Sequence, residues 1–401
     1  MRTGSGRLAA LAAVAALSAC GSAPRTPPPT GSTPTPAGPV APVSRDVPIP
    51  SGTSIHAPSE PPERPLGELA YVVDSRAQSV YEFDLGRGRF LGPAPRVIGQ
   101  DGGTLTLPGY PFVVSRNPPQ QAALAPSWLF VAGGTDGTVV IMRRTPGLGA
   151  ARAVALPAVP VQREARSGGG SVSNASESGA PFITRVVALG DSQVVAISQD
   201  DSGTSVAYLV DAADGGLLRS VQLPGGTANA AAALTGGGRF AVGMNEGHLL
   251  LLDGQLNVLA NRSLDGTPKG MAVVGDQVAI SATAAAGHAP ASDLWLLDPR
   301  TGASRHLSAA GTPYSGPVAA AGGTVWWTLS DLAQVRELRT DGTLARTLDA
   351  CRYISSVAAG PTVLLATCLE HNQLAVVDLS SGGRRLYDAG GFPASVALSS
   401  G

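Results

Sequence analysis

Lysine is almost missing: Lys269 is the only one in 401 residues, and charged side chains make up just 14% of the chain. With 28 basic against 29 acidic residues and no basic stripe, nothing is available to neutralise a phosphate backbone, so no nucleic-acid partner is expected. Three cysteines are too few for a disulfide-dense scaffold, and no Cys-x-x-Cys pair occurs. Also missing are a Gly-x-Ser-x-Gly elbow, a His-Glu-x-x-His helix and a Walker loop. The chain is therefore more readily a binding protein than an enzyme, and no cofactor is expected. No apolar run is long enough to span a bilayer. The longest, Leu8 to Ser18, would cover only about half of a ~30 Å hydrocarbon core.

That run has another meaning. Arg2 and Arg7 precede it as a short basic region, and small residues lead from it into Cys20, the pattern of an export signal. Leu17-Ser18-Ala19-Cys20 resembles the lipobox of bacterial lipoproteins. The resemblance implies that residues 1–19 are a signal peptide, and that cleavage before Cys20 is followed by attachment of lipid, such as palmitate, to its sulfur. More than one acyl chain would then make anchoring stable. The expected location is extracytoplasmic, anchored to the cell membrane or outer membrane.

Proline is concentrated in the next segment. Fourteen of positions 21–65 are proline, mixed with Thr, Ser, Gly and Ala, and almost nothing there is large and apolar. Such a stretch cannot offset the entropy of ordering, so 20–65 is expected to be a disordered tether carrying the lipidated cysteine. Its reach lies between roughly 40 Å as a coil and 140 Å as polyproline II.

From residue 66 to 401 a pattern recurs at intervals of about forty residues. The last complete copy shows it best: Tyr353–Ala358, a turn at Ala359-Gly360, Thr362–Thr367, a polar loop at Glu370–Asn372, then Gln373–Asp378 and Gly382. Copies begin near Tyr110, Phe182, Thr227, Thr267, Thr312, Tyr353 and Phe392. The first interval is the longest, because Pro157 to Pro181 holds an insertion with loop chemistry and no period. Short strands in units of this length point to an all-β, seven-bladed β-propeller. Six or eight blades stay open, since the copy from Tyr110 to Pro157 is the weakest. The final copy stops after one strand, and the front of the region, Glu68–Asp84, lacks one. The two fragments complete each other, so a C-terminal strand joining the N-terminal blade should close the ring and remove its exposed edge.

Local chemistry agrees. The innermost strands are small, as in Ala228–Leu234 and Val318–Ala321, where blades crowd towards an axis. Bulkier strands follow, such as Thr324–Thr328 and Val194–Ser198. Asp84, Asp211, Asp253, Asp298 and Asp378 recur at strand ends before a glycine. An Asp there accepts hydrogen bonds from the amides of its own turn, which explains the recurrence better than a metal does.

Ala70–Asp74 with Ser79–Asp84, and Leu374–Asp378, resemble the YVTN-type repeat propellers, within the broad group of seven-bladed extracytoplasmic propellers. The Tyr-Val-Thr-Asn tetrapeptide itself is absent, and no Trp-Asp dipeptide supports a WD40 assignment. The resemblance implies a binding protein more often than an enzyme.

Beyond Cys20, only Cys351 and Cys368 remain. If Ala359-Gly360 forms a two-residue turn, they fall opposite each other on neighbouring strands. Outside the cytoplasm that predicts a disulfide beside the closing seam. Binding is expected on one face of the ring. Loops entering the inner strands supply Tyr110, Lys269, Tyr314, Arg352 and Tyr353. Loops between second and third strands supply Asp200, Glu246, His288, Asp331, Glu370 and His371. Glu370 and His371 form a candidate hydrogen-bonding couple. The expected role is a lipid-anchored scaffold in the cell envelope that binds a protein, peptide or polysaccharide. The alternative is a metal-dependent, lactonase-like hydrolase using Asp200, Asn245, Glu246 and Asp331. Replacing the proposed lipid site, Cys20→Ala, is expected to move the protein from the detergent phase to the aqueous phase in phase partitioning of whole-cell lysates.

Overall fold

A computed structural model describes residues 67–399 apart from short segments at 93–95, 99–103, 110–111, 114–119, 145–147, 163–170, 174–179, 200–202, 237, 284–290 and 311–314. The signal and tether lie outside the described residues. Seven small antiparallel sheets, each a meander running from an inner to an outer strand, form a seven-bladed β-propeller. Six blades take consecutive strands. Blade seven is typical, with Ile354–Ala359 innermost, then Val363–Cys368, Gln373–Asp378 and Arg384–Asp388 at the rim. Blade one is composite: Pro393–Leu398 supplies the inner strand to Leu69–Asp74, Ser79–Asp84 and Arg89–Phe90.

Burial follows from this stacking. A blade is covered on both faces by its neighbours, so its middle strands are apolar without alternation. Val363–Cys368 is buried at every position, whereas the outer strand Val258–Ser263 is almost wholly exposed. Adjacent side chains serve different junctions. Trp326 packs with blade seven and its neighbour Trp327 with blade five, both fully buried. The core accordingly divides into seven clusters, one at each junction between neighbouring blades.

Closure rests on a pairing between chain segments far apart in sequence. Val72 lies opposite Val396, and Tyr71 opposite Ala397. The buried carboxylate of Asp74 reinforces it. One oxygen accepts from the amides of Arg76, Ala77 and Phe392, each at 2.9 Å, and the other from Gly391 at 2.6 Å. Burial raises the pKa of Asp74 above the ordinary carboxylate value, while those amides pull it down. Gly390 must be glycine: its φ is +93°, and a Cβ there would collide with the Asp74 carboxylate.

Three sequence expectations are corrected. The copy near Tyr110 does not open blade two. Phe112–Val113 pairs with Ser79 and Val80 of blade one, and the inner strand of blade two is Ala122–Leu124. Tyr110 itself lies outside the described residues. The insertion before Phe182 is not all loop, since Pro160–Gln162 pairs with Ser171–Ser173. The disulfide between Cys351 and Cys368 is present, with α-carbons 5.8 Å apart, but not by the predicted register. Ala359 pairs with Leu364, and the Gly360 amide donates to the Val363 carbonyl, so the turn is Pro361-Thr362. Proline supplies the φ that this turn position requires. Cys368 therefore faces Ile354, and Cys351 sits in the loop before the strand. The chain-entropy contribution of a loop this size is roughly 3 kcal/mol.

Replacing the latch residue, Asp74→Asn, turns one acceptor oxygen into a donor facing an amide. It is expected to cost about 3 kcal/mol in chemical denaturation and to speed proteolysis of the C-terminal strand.

Candidate functional site

Every inner strand breaks register at the same level. The shift falls between Ile183 and Arg185, Ala228 and Ala230, Pro268 and Gly270, Ser315 and Val318, and Ile354 and Ser356. In blade one it falls opposite Val73 and Asp74. In blade two the amide of Gln120 donates to the Ala132 carbonyl, while the Ala132 amide donates to Gln121. A β-bulge places an extra residue opposite one partner and re-aims its side chain. Seven bulges at one level thus form a belt around the axis.

The belt lines a channel of about 410 Å³ into which all seven inner strands contribute. Its chemistry is polar and of one sign. Gln121, Arg185, Asn229, Lys269, Ser355 and Ser395 line it, and among the described residues no aspartate or glutamate does. Gly270 keeps the wall close-packed, because a Cβ there would lie 2.7 Å from the Pro317 α-carbon of blade six.

Arg185 is the fixed charge in this belt. Its Nε and Nη2 donate to the Asn229 carbonyl at 2.9 and 2.7 Å, and Nη1 donates to the Thr184 carbonyl at 2.8 Å. A guanidinium has five N–H donors, so two remain without a protein partner among the described residues. Desolvation lowers its pKa from the ordinary guanidinium value, yet an arginine stays charged. Lys269 is exposed at the channel, with no ion pair among the described residues. The amide of Val186 donates to Gln121 Oε1, which leaves the Gln121 NH₂ facing no described acceptor.

The predicted face is split by the structure. Asp331, Arg352, Tyr353, Glu370 and His371 come together where blades six and seven meet. The Tyr353 amide donates to the Ser330 carbonyl, and the Leu369 amide donates to the Tyr353 carbonyl. Arg352, Tyr353, Glu370 and His371 are exposed there, and Leu332 and Phe392 add exposed apolar surface on the same face. Glu370 and His371 make no hydrogen bond with each other. Glu246 is exposed on a separate part of the rim, where the Thr267 hydroxyl donates to the Asn245 carbonyl. Lys269 lies in the channel rather than on the rim. Tyr110, Asp200, His288 and Tyr314 lie outside the described residues. Sequence reading missed Arg185, Asn229, Ser355 and Ser395. Their signal was a polar residue breaking a run of small ones near the start of each copy, as Asn229 does among alanines.

Tyr353 has a φ of +53°, uncommon for a bulky residue, and its side chain is 59% exposed. Both of its backbone hydrogen-bonding groups are engaged, and the disulfide pins the chain two residues earlier. The ring is therefore held outward on a rigid loop.

The strand-end aspartates behave as turn residues. The Asp378 carboxylate accepts from the Ser380 and Ser381 amides, and Asp211, Asp253 and Asp298 repeat the arrangement in their own blades. Among the described residues no group of His, Cys, Asp or Glu is assembled to hold a metal ion.

No protein-family model matches the chain, and no curated protein matches it. Among solved structures it is similar to a functionally unknown protein from Desulfotomaculum acetoxidans, at 15% identity, with 83% of this chain and 99% of that chain covered and a TM-score of 0.56. It is also similar to a protein from Bacteroides fragilis described as "a putative 6-phosphogluconolactonase", at 11% identity, with 83% and 98% covered and a TM-score of 0.56. At these identities the likeness is one of fold alone.

The hydrogen bond from the Ser380 hydroxyl, with those from the Ser381 and Ser380 amides, holds the Asp378 pKa down at about 2, below its ordinary 3.8. A depressed folded-state pKa gives stability that is complete above the unfolded value and lost as pH falls through the folded one. The wild-type protein is thus expected to melt above Asp378→Asn at about pH 6, with the difference vanishing by about pH 2.

Proposed function

We propose that this propeller is a non-catalytic binding scaffold, hung outside the cell from a lipid on Cys20, whose upper face engages a protein, peptide or polysaccharide of the envelope. The observation that carries this reading is Tyr353, a large ring held exposed in a left-handed conformation on a doubly pinned loop. Strain of this kind persists where surrounding structure over-determines it, and it concentrates at functional sites. Arg352, His371, Leu332 and Phe392 supply the mixed apolar and polar chemistry that interface cores use. The disulfide fits an oxidising compartment and so supports an extracytoplasmic location. The hydrolase alternative draws no support from the site, because Asn245, Glu246 and Asp331 occupy rim loops rather than one constellation and Asp200 lies outside the described residues.

In crosslinking on intact cells, the double variant Tyr353→Ala with Phe392→Ala should lose a defined partner band that the wild type shows. Leu259→Ser, on an outer strand, should retain it. Melting temperatures of all three are expected to agree within about 3 °C, since exposed side chains contribute little to stability. Identical band patterns for wild type and double variant would remove this face from the reading.

A further inference from the structure

The channel carries a more specific message than the rim. It brings two cations, Arg185 of blade three and Lys269 of blade five, to one cavity on either side of Asn229 of blade four. No carboxylate among the described lining residues neutralises them. Such an arrangement costs free energy in the empty protein, because like charges share a partly desolvated space. It becomes favourable when an anion enters.

We propose that the axial channel is a binding site for a small oxyanion-bearing polar molecule, with Arg185 and Lys269 as its charge-recognition pair. The two N–H groups of Arg185 left by its bonds to Asn229 and Thr184 match the oxygens of one carboxylate or phosphate. Those same bonds fix the guanidinium before any ligand arrives, so little entropy is lost on binding. Lys269, unpaired and mobile on its stem, closes on the anion as a point charge. The side-chain amides of Asn229 and Gln121 suit the neutral hydroxyl groups of the same molecule, whereas the Ser355 hydroxyl already donates to the Pro393 carbonyl and the Ser395 hydroxyl accepts from the Ala122 amide. A volume of about 410 Å³ admits a molecule the size of a monosaccharide acid or a small di- or tricarboxylate, and excludes a folded partner. The inference rests on the reading of the propeller as a binding protein, but it concerns the axis and not the rim.

Isothermal titration of the full-length protein with glucuronate, glucose 6-phosphate, citrate and neutral glucose tests it. Saturable binding of at least one anion is expected, weakening as salt rises, with glucose not binding. The carboxylate and phosphate arms decide which oxyanion is preferred. Lys269→Met should weaken binding about tenfold without lowering the melting temperature, because the ammonium has no described partner and its removal relieves the like-charge repulsion with Arg185. Arg185→Lys keeps the charge but loses the fork, and should weaken binding by about the same factor. Anion binding unaffected by both variants, or absent up to 10 mM, would overturn the proposal. Glucose binding as tightly as glucuronate would overturn charge recognition while leaving the channel as a binding site. Loss of the crosslinked partner in Tyr353→Ala alone, whose side chain is not part of the channel wall, but not in Lys269→Met, would separate the rim reading from this one.

Discussion

One strand pairing, braced by a single buried carboxylate, joins the two ends of the propeller. Asp74 belongs to the first described strand, and the amides of Gly391 and Phe392 that it accepts belong to the loop before the last. Without that junction the strand Leu69–Asp74 would present an open edge, ready to pair with another chain. The channel would also be incomplete, since Ser395 reaches it only on the closing strand and Phe392 only from the loop before it. Closing the ring and assembling the site are therefore one event. The pairing spans nearly the whole domain, so it carries the largest loop-closure entropy of any strand pairing in the ring.

The second constraint is the bulge shared by the inner strands. Regular strands would alternate their side chains between the two blade junctions and leave little but backbone towards the axis. At Asn229, Lys269 and Ser355 the extra residue of the bulge lines the channel while the strand on either side keeps its packing register, and in blade three the residue just after the bulge, Arg185, does so. This separates two demands on one short segment. Small residues on the faces satisfy the crowding, as the alanines of Ala228–Ala233 do, and the bulge position is free to carry chemistry.

The fold was legible because its signals repeat. Period, strand-end aspartates and small inner strands each recur, and a recurring error would have to be made several times. The incomplete first and last copies revealed the closure in the same way. What failed was local and unrepeated. Phe112–Val113 looks like the start of an inner strand, and only tertiary pairing shows it at the edge of blade one. The Cys351–Cys368 pair was anticipated through a turn at Ala359-Gly360, whereas Pro361 places the turn two residues later. The bond still forms because the bulge before Ser356 and the loop at Cys351 bring the α-carbons to 5.8 Å. The rim residues were legible as loop residues. Of the polar channel residues only Lys269 was legible, and as a rim residue, because one polar residue among alanines is a faint mark and Arg185 sits within a strand that otherwise reads as apolar.

The near balance of 28 basic and 29 acidic residues hides an ordered distribution. Acidic groups are held where backbone amides serve them, at the strand-end turns of Asp211, Asp253, Asp298 and Asp378 and at the seam of Asp74. The axis carries the opposite sign. A cleft with low-dielectric walls and charge of one sign focuses its field on the opening, so a small surplus of charge at the axis acts more strongly than the same surplus on a convex surface. Arginine at 185 is suited to this place in a way lysine is not. Its planar fork ties blade three to blade four through the Asn229 carbonyl, and it keeps its charge where desolvation would tend to strip a proton from lysine. One side chain thereby braces two blades and leaves donors pointing at whatever the channel receives.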